Sequence, residues 1–412
     1  MSPKRDEGEP ARFRKINITK MDLPHPFWSE KRAAMYREMY GGENSVGWQT
    51  NVLGKWGSPS YSVFPMPTLR PNLKFLPRYR IVVALLDRES ARYHLRAARL
   101  APGLERVDDE DVVREELLAR DERPFLSARE LAAGIAAFFP DLADWPDPLL
   151  YCGGDFGSAA DPTELIFATR AGLIWSDLFR LHLVNADWPA QAEIVAHLDH
   201  ASGHRVKYGF DNGSAGAALV QVLTQMEQFK VCPVCKAPVY FEERLRAFGF
   251  GEHCDDVDLE TGEVLTNPDK LDAAGSPMPL RLSNKEFSTR ILERKAQAVQ
   301  LGIAHDAGAG DQRLAAAQLL VNHTSIGVTS KNERRFKASD DHHIDARRQL
   351  ALVIASEVRG DPWFAADPAH LVRTEPSADK GGFGPVGGVV QGFDALGSGG
   401  ISRERVMARE DW

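Results

Sequence analysis

Residues 149–155 have the sequence LLYCGGD, an apolar run that ends in two glycines and an acid. A short apolar run with glycine at its boundary is typical of a buried β-strand, and it would leave Asp155 at the strand's end. Two more strand-like runs follow at 164–169 and 173–184. This part of the chain is therefore predicted to be a three-stranded meander.

Farther along the chain, strand-like and helical patterns alternate. Residues 206–210 are strand-like, Asp211 ends that run, and 214–229 carry apolar residues at helical spacing. Strong helical patterns also occupy 284–301 and 340–358. The succession of strand, acid, glycine turn and helix indicates an α/β fold.

Composition shifts predict the domain boundaries. Residues 1–78 are predicted to be an N-terminal lead and a Pro-rich linker, and 361–412 a flexible Gly-rich tail. Between them, 79–360 would form one catalytic domain, with 230–276 as an insertion that breaks the strand and helix pattern.

The segment before residue 149 is predicted to be one strand followed by helices. Residues 80–86 are a β-rich apolar run, and 108–139 contain two amphipathic helical patterns. The second pattern starts at Ser127 with Glu130 three residues later, which is a capping box.

Composition excludes several classes of protein. Of the 412 residues 43% are hydrophobic, which is ordinary for a folded globular chain, and the net charge of -8 excludes a uniformly cationic nucleic-acid binder. No apolar run is long enough for a secretory signal or a membrane span, so a cytoplasmic protein without a membrane partner is expected. Four cysteines are too few for a disulfide scaffold.

Acidic residues stand where strands end and where the last helix begins. Hard divalent cations prefer oxygen ligands, and a two-ion site needs carboxylates from several elements. Each acid taken singly is also a common structural cap. The candidate ligands are Asp155, Asp161, Asp211, Asp340, Asp341 and Asp345.

The order of these motifs resembles the nuclease domain of phage terminase large subunits. The motifs are GGDFG at 153–157, DPT at 161–163, GFD at 209–211 and SDDHHIDA at 339–346. The resemblance implies a ribonuclease H-like fold with a mixed central sheet flanked by helices. It also implies catalytic metal binding by Asp155 and Asp211 together with Asp341 or Asp345.

In function, the resemblance implies a DNA endonuclease that cuts concatemeric viral DNA during genome packaging with two Mg²⁺ or Mn²⁺ ions. It implies double-stranded DNA, a small terminase subunit and a portal protein as partners, in the host cytoplasm if the chain is phage-encoded. No G-x-x-x-x-G-K-[ST] loop occurs, so either an ATPase motor is a separate polypeptide or the gene is a remnant. Two alternatives stay open: a catalytically degenerate nuclease fold acting as a packaging or nucleic-acid interaction module, and a resolvase- or integrase-like nuclease.

A second group of residues has the spacing of a zinc knuckle. Two thiolates two residues apart can share one tetrahedral ion, and a later His-Cys pair would complete it. The alternative is a set of buried free thiols. The predicted ligands are Cys232, Cys235, His253 and Cys254.

A basic run precedes the last acidic helix. Positive side chains at that place are predicted to contact DNA phosphates, and a solvated loop is the alternative. The residues are Lys331, Arg334, Arg335 and Lys337. His342 and His343, beside the acids, could bind metal or phosphate, and for one of them a partly exposed helical position is favoured.

Overall fold

The computed structural model describes most of the predicted catalytic domain. The described residues are 30, 33, 62–87, 89–107, 110–142, 149–157, 161–258, 261–328, 334–337 and 341–358. The predicted tail at 361–412 and most of the predicted lead lie outside them.

Strands and short helices alternate along the described chain. The strands are β1 (Leu73–Lys74), β2 (Arg80–Asp87), β3 (Arg92–Val107), β4 (Glu110–Pro124), β5 (Leu149–Asp155), β6 (Thr163–Ala171), β7 (Ile174–Val184), β8 (Val206–Asp211), β9 (Leu245–Phe248), β10 (His253–Asp255), β11 (Thr266–Leu271), β12 (Pro277–Pro279), β13 (Arg281–Ser283), β14 (Leu301–Ala304), β15 (Thr324–Val328) and β16 (Arg334–Lys337). The α-helices are α1 (Met66–Leu69), α2 (Ala128–Ala136), α3 (Trp188–Ala201), α4 (Ser214–Gln225), α5 (Phe241–Arg244), α6 (Asn284–Gln297), α7 (Ala316–Val321) and α8 (His342–Val358).

One large mixed sheet organises the fold. Its centre has the strand order β7-β6-β5-β8-β9. Neighbouring strands from β5 to β7 are antiparallel, whereas β8 is parallel to β5 and β9 is parallel to β8. This order and these directions are those of the ribonuclease H-like fold, so the predicted fold class, α/β with a mixed central sheet flanked by helices, is confirmed.

The sheet has more strands beyond β7 than the sequence predicted. Strand β2 pairs in parallel with β7, and β3 and β4 extend the sheet as a long hairpin. The first of the two helices predicted within 108–139 is therefore wrong, because those residues pair with β3 instead. The second is confirmed: the side chain of Ser127 accepts a hydrogen bond from the amide of Glu130 at the start of α2.

The sheet is covered on both faces. One face packs against α2, α3 and α4, which contribute Leu131, Ile194 and Leu219 to its buried core. The other face packs against α6, α7 and α8, with Phe287 and Ile344 among the buried side chains. The chain thus has the three-layer arrangement that its α/β pattern predicts.

Two glycines allow α8 to lie directly on the sheet. Gly153 of β5 and Gly209 of β8 are partners across the parallel pair. A Cβ atom at Gly153 would lie 2.0 Å from the carbonyl oxygen of Ala346, and one at Gly209 would lie 2.5 Å from that of Gln349. Only glycine fits where the helix backbone approaches the strands this closely.

Two predicted boundaries differ from the structure. The predicted linker reaches residue 78, but Phe64 and Leu69 are buried in the core, since β1 pairs with β14 and draws this segment onto the domain. The predicted insertion at 230–276 includes β9, which is instead the edge strand of the central sheet. Its four residues pair with β8 and leave β10 to β12 outside that sheet.

Candidate metal centre

Three elements bring acidic side chains to one edge of the sheet. Gly154 and Phe210 are the last paired residues of the parallel strands β5 and β8, and the next residues are Asp155 and Asp211. Side chains alternate between faces along a strand, so each aspartate shares a face with the glycine two residues before it. That face is the one covered by α8, whose first turn contains Asp345.

The two strand-end carboxyl groups are destabilised as anions. Burial raises the pKa of Asp155, and the charges of Asp345 and Asp341 add to the increase, although a hydrogen bond with His342 opposes it. The pKa of Asp211 is raised to about 6, chiefly by burial and also by the charges of Asp155 and Asp345, against a hydrogen bond from the amide of Gly213. The acids therefore affect one another electrostatically across the site.

Asp345 has fixed partners of its own. One of its carboxylate oxygens accepts a hydrogen bond from the buried guanidinium of Arg348, and the other lies 3.6 Å from Nζ of Lys285. Lys285 in turn lies over the ring of Phe250 at 5.2 Å. The negative charge of Asp345 is thus partly balanced within the protein before any cation binds.

The other predicted aspartates are less involved. Asp341 is exposed. Its charge contributes to the raised pKa of Asp155 but is not a main cause of the raised pKa of Asp211. Asp161 is exposed in the turn before β6, and its charge is not a main cause of the raised pKa of Asp155 or Asp211. Asp340 lies outside the described residues. Asp345 is therefore the residue of α8 whose charge raises the pKa of both strand-end aspartates.

A buried carboxylate behind Asp155 was not predicted from the sequence. Glu164 of β6 pairs in register with Asp155, has no exposed surface and contacts Arg180, His182 and His343. Burial alone would raise its pKa, but Arg180 and the two histidines hold that pKa well below its ordinary value. The available signal was a set of ionisable residues inside the apolar strands β6 and β7.

The two histidines that open α8 have different surroundings. Nδ1 of His342 lies 2.6 Å from a carboxylate oxygen of Asp155. His343 is buried, and burial lowers its pKa to about 3, so its ring is neutral. Because Arg347 donates to its Nε2, Nδ1 carries the proton that His343 donates to Glu164 at 2.9 Å. Each histidine thus fixes α8 against a carboxylate on the sheet.

The predicted zinc ligands do not all come together. Cys232 and Cys235 lie with two histidines, His200 and His204, and the ligand atoms of these four are all within 4.8 Å of one another. His253 and Cys254 belong to β10, which pairs with β13, and they line a separate cavity of about 600 Å³. The structure thus places the predicted thiol pair beside two histidines that were not predicted and apart from His253 and Cys254.

The predicted phosphate contacts are only partly described. Arg334 is part-buried, and its guanidinium makes hydrogen bonds of 2.6–3.3 Å with Glu286 and Glu293 of α6. Arg334 is therefore an internal ion-pair residue, which corrects its predicted role. Lys331 and the side chains of Arg335 and Lys337 lie outside the described part of the chain.

The aspartate cluster fits hard divalent cations by the chemistry of its donors. Carboxylate oxygens are the ligands that Mg²⁺ and Mn²⁺ prefer, and neighbouring anions that raise one another's pKa would be stabilised by a cation between them. The carboxylate oxygens of these three aspartates do not all lie within 4.8 Å of one another. Mg²⁺ commonly keeps several water ligands and binds through one or two carboxylates, so it does not require direct contact with all three.

None of the helices in the described ranges is both long enough and apolar enough to cross a membrane. No protein-family model matches the sequence, and no curated protein matches it either.

Solved structures of similar fold are those of large terminases and their nuclease domains. The large terminase nuclease from thermophilic phage G20c with bound magnesium is 15% identical, with a TM-score of 0.32 over 50% of this chain and 81% of that one. The large terminase nuclease domain from bacteriophage SPP1 with bound Mn is 15% identical, with a TM-score of 0.28 over 51% of this chain and 87% of that one. The large terminase from thermophilic bacteriophage D6E is 12% identical, with a TM-score of 0.30 over 53% of this chain and 45% of that one. These likenesses are to large terminases and their nucleases, across about half of this chain.

Proposed function

We propose that this protein is a metal-dependent DNA endonuclease whose divalent cations are bound by Asp155, Asp211 and Asp345. The observation that supports it is the convergence of three carboxylates from two strand ends and a helix start, where burial and the charges of Asp155 and Asp345 raise the pKa of Asp211 to about 6. Perturbed carboxyl groups of this kind cluster at functional sites.

The residues of the site would mainly bind the cations and orient the carboxylates that bind them. When bound, Mg²⁺ or Mn²⁺ neutralises phosphodiester charge and supplies a hydroxide at neutral pH. Because the pKa of Asp211 is raised to about 6, a cation has to compete with a proton for this carboxylate in weakly acidic solution. His342 orients the Asp155 carboxylate through their 2.6 Å contact, and Lys285 offers a positive charge near Asp345 for a substrate phosphate.

A non-catalytic nucleic-acid interaction module is the second candidate. It is favoured by one observation: Arg348 and Lys285 already balance the charge of Asp345. A protein whose buried aspartate is already ion-paired can stay folded without a bound cation. The two candidates differ in whether cations bind and whether DNA is cut.

Plasmid cleavage tests the proposal. Supercoiled plasmid is incubated with Mg²⁺, Mn²⁺ or EDTA and with the wild type, Asp155→Asn or Asp211→Asn, and Asp161→Asn is the matched control because it replaces an exposed aspartate outside the cluster. We expect cutting by the wild type and the control, and only the EDTA background with the other two variants. Calorimetric titration with Mn²⁺ is done on the same samples.

Each result separates the candidates. A wild type that binds Mn²⁺ and cuts supports the endonuclease. A folded wild type that binds DNA but neither binds Mn²⁺ nor cuts supports the interaction module. Cutting by the double variant Asp155→Asn with Asp211→Asn contradicts the assignment of the site.

The packaging role is the finer part of the proposal. It is supported by the order of the motifs at 153–157, 161–163, 209–211 and 339–346. We expect a cognate motor, a small terminase subunit and a portal protein to bind the chain and to direct its cutting to concatemeric DNA. Cleavage that is unchanged by those components would refute this part alone.

A further inference from the structure

The structure contains a second cluster of metal-binding side chains that the proposed nuclease does not use. His200 lies at the end of α3 and His204 in the turn that follows, whereas Cys232 and Cys235 flank a tight turn after α4. The Sγ atom of Cys232 lies 3.5 Å from Nδ1 of His200, and that of Cys235 lies 3.5 Å from Nε2 of His204. We infer that these four residues bind one structural Zn²⁺ ion.

The ligand spacing matches a tetrahedral zinc site. Zinc binds thiolate sulfur at ~2.3 Å and imidazole nitrogen at ~2.0–2.1 Å, so neighbouring ligand atoms in a tetrahedron lie ~3.3–3.8 Å apart. The two sulfur-to-nitrogen distances of 3.5 Å are within this range, and all four atoms lie within 4.8 Å of one another. Small movements of the side chains would complete the tetrahedron.

The backbone around the thiols has a turn that presents both sulfurs together. The amides of Val234 and Cys235 each lie 3.4 Å from the Sγ atom of Cys232, in position to donate to it. The amide of Cys232 donates to the carbonyl of Ala237, and Lys236 adopts a positive φ of 63° that reverses the chain. Amide donors around a sulfur stabilise the thiolate, which is the form that binds metal.

The histidine side of the cluster is oriented by a carboxylate. Nδ1 of His204 lies 2.6 Å from the fully buried carboxylate of Asp199, which leaves Nε2 directed at Cys235. Asp199 is itself held by both guanidinium nitrogens of Arg244 and by the hydroxyl of Tyr208. Metal-binding histidines commonly give their second nitrogen to such a carboxylate, which fixes the tautomer and the ring.

Four protein ligands of nitrogen and sulfur leave no open position on the ion. Sites of this composition are structural and select Zn²⁺ over the hard cations expected at the aspartates. The ion would join the end of α3 to the turn after α4, ahead of edge strand β9. It would therefore stabilise one end of the central sheet independently of the aspartate site.

Metal analysis of the whole chain tests this inference. Protein purified without chelators should contain about one zinc per chain, and Cys235→Ser or His204→Ala should lower that content about tenfold or more. Cys254→Ser is the matched control, because Cys254 is a part-exposed thiol outside the cluster. Asp155→Asn should retain its zinc, which separates this result from the fate of the nuclease proposal.

A measurement on the wild type alone tests the zinc site even if the variants fail to fold. Wild-type protein stripped of metal and titrated with Co²⁺ should develop the visible bands of a tetrahedral thiolate-bound ion, and Zn²⁺ should remove them. Folded wild type without zinc and without a cobalt spectrum would overturn the inference. So would a Cys235→Ser variant that keeps its full zinc content.

Discussion

Replacing Asp211 by Asn should stabilise the metal-free protein at neutral pH. The pKa of Asp211 is raised from an ordinary 3.8 to about 6 by burial and by the charges of Asp155 and Asp345. At ~1.36 kcal/mol per pKa unit this difference corresponds to about 3 kcal/mol, and screening by solvent at this partly exposed group reduces it to about 1–2 kcal/mol. Asn keeps the shape of the side chain and removes the charge.

The gain should depend on pH in a defined direction. A carboxyl group whose folded pKa is raised binds its proton more tightly in the folded state, so it favours folding most below pH 3.8. That contribution is lost as pH rises from 3.8 through about 6. The advantage of Asp211→Asn over the wild type should therefore be full at pH 7.5 and disappear near pH 4.

Urea unfolding in EDTA measures this difference. Free energies of unfolding are compared for the wild type, Asp211→Asn and the exposed control Asp161→Asn at pH 7.5 and pH 4.5. Added Mn²⁺ should then stabilise the wild type and leave Asp211→Asn nearly unchanged. A variant that is less stable than the wild type at pH 7.5, or a difference that does not change with pH, would refute the reasoning.

Two more predictions follow from the surroundings of the site. His342→Ala removes a contact that lowers the pKa of Asp155, so the acidic limb of a pH–rate profile for Mn²⁺-dependent cleavage should move to higher pH. The exposed-site change His305→Ala should leave the profile in place, and an unmoved profile in His342→Ala would contradict the role of the contact. Gly153→Ala should lower the free energy of unfolding by at least ~3 kcal/mol, because its Cβ would lie 2.0 Å from the carbonyl oxygen of Ala346. Gly251→Ala is the control, because a Cβ at Gly251 would have no atom within 4 Å, and it should change stability little. Equal shifts of the two variants in thermal melts would contradict the close contact between α8 and β5.

The central strands were predictable because their residues carry a local signal. Residues 149–155 and 206–210 are largely apolar. The first run ends in an acid and the second is followed by one, with glycine nearby in both, so each strand and the acid at its end are visible in the sequence. The convergence of Asp155 and Asp211 follows from parallel pairing, which puts both carboxyl ends at one edge. The choice of Asp345 over Asp341 required the orientation of α8, because both acids lie one turn apart on one helical face.

The errors have physical causes that local sequence does not carry. Residues 110–124 are rich in Glu and Arg and include two Leu, residue types that favour helix, yet pairing with β3 makes them a strand. The partners of Cys232 and Cys235 could not be chosen from spacing, since the adjacent pair at 253 and 254 and the more distant His200 and His204 are equally good ligands. Only the fold decides which pair is near.

The position of α8 also sets an order of events during synthesis. The ribosome makes Asp155 and Asp211 with their strands well before it makes Asp345. The helix that carries Asp345 lies on Gly153 and Gly209 in the middle of a sheet built from earlier segments. A growing chain therefore contains the central strands and two of the acids before the third has been made. On the proposed function, the cutting site stays incomplete in the nascent protein until nearly the whole described domain has left the ribosome.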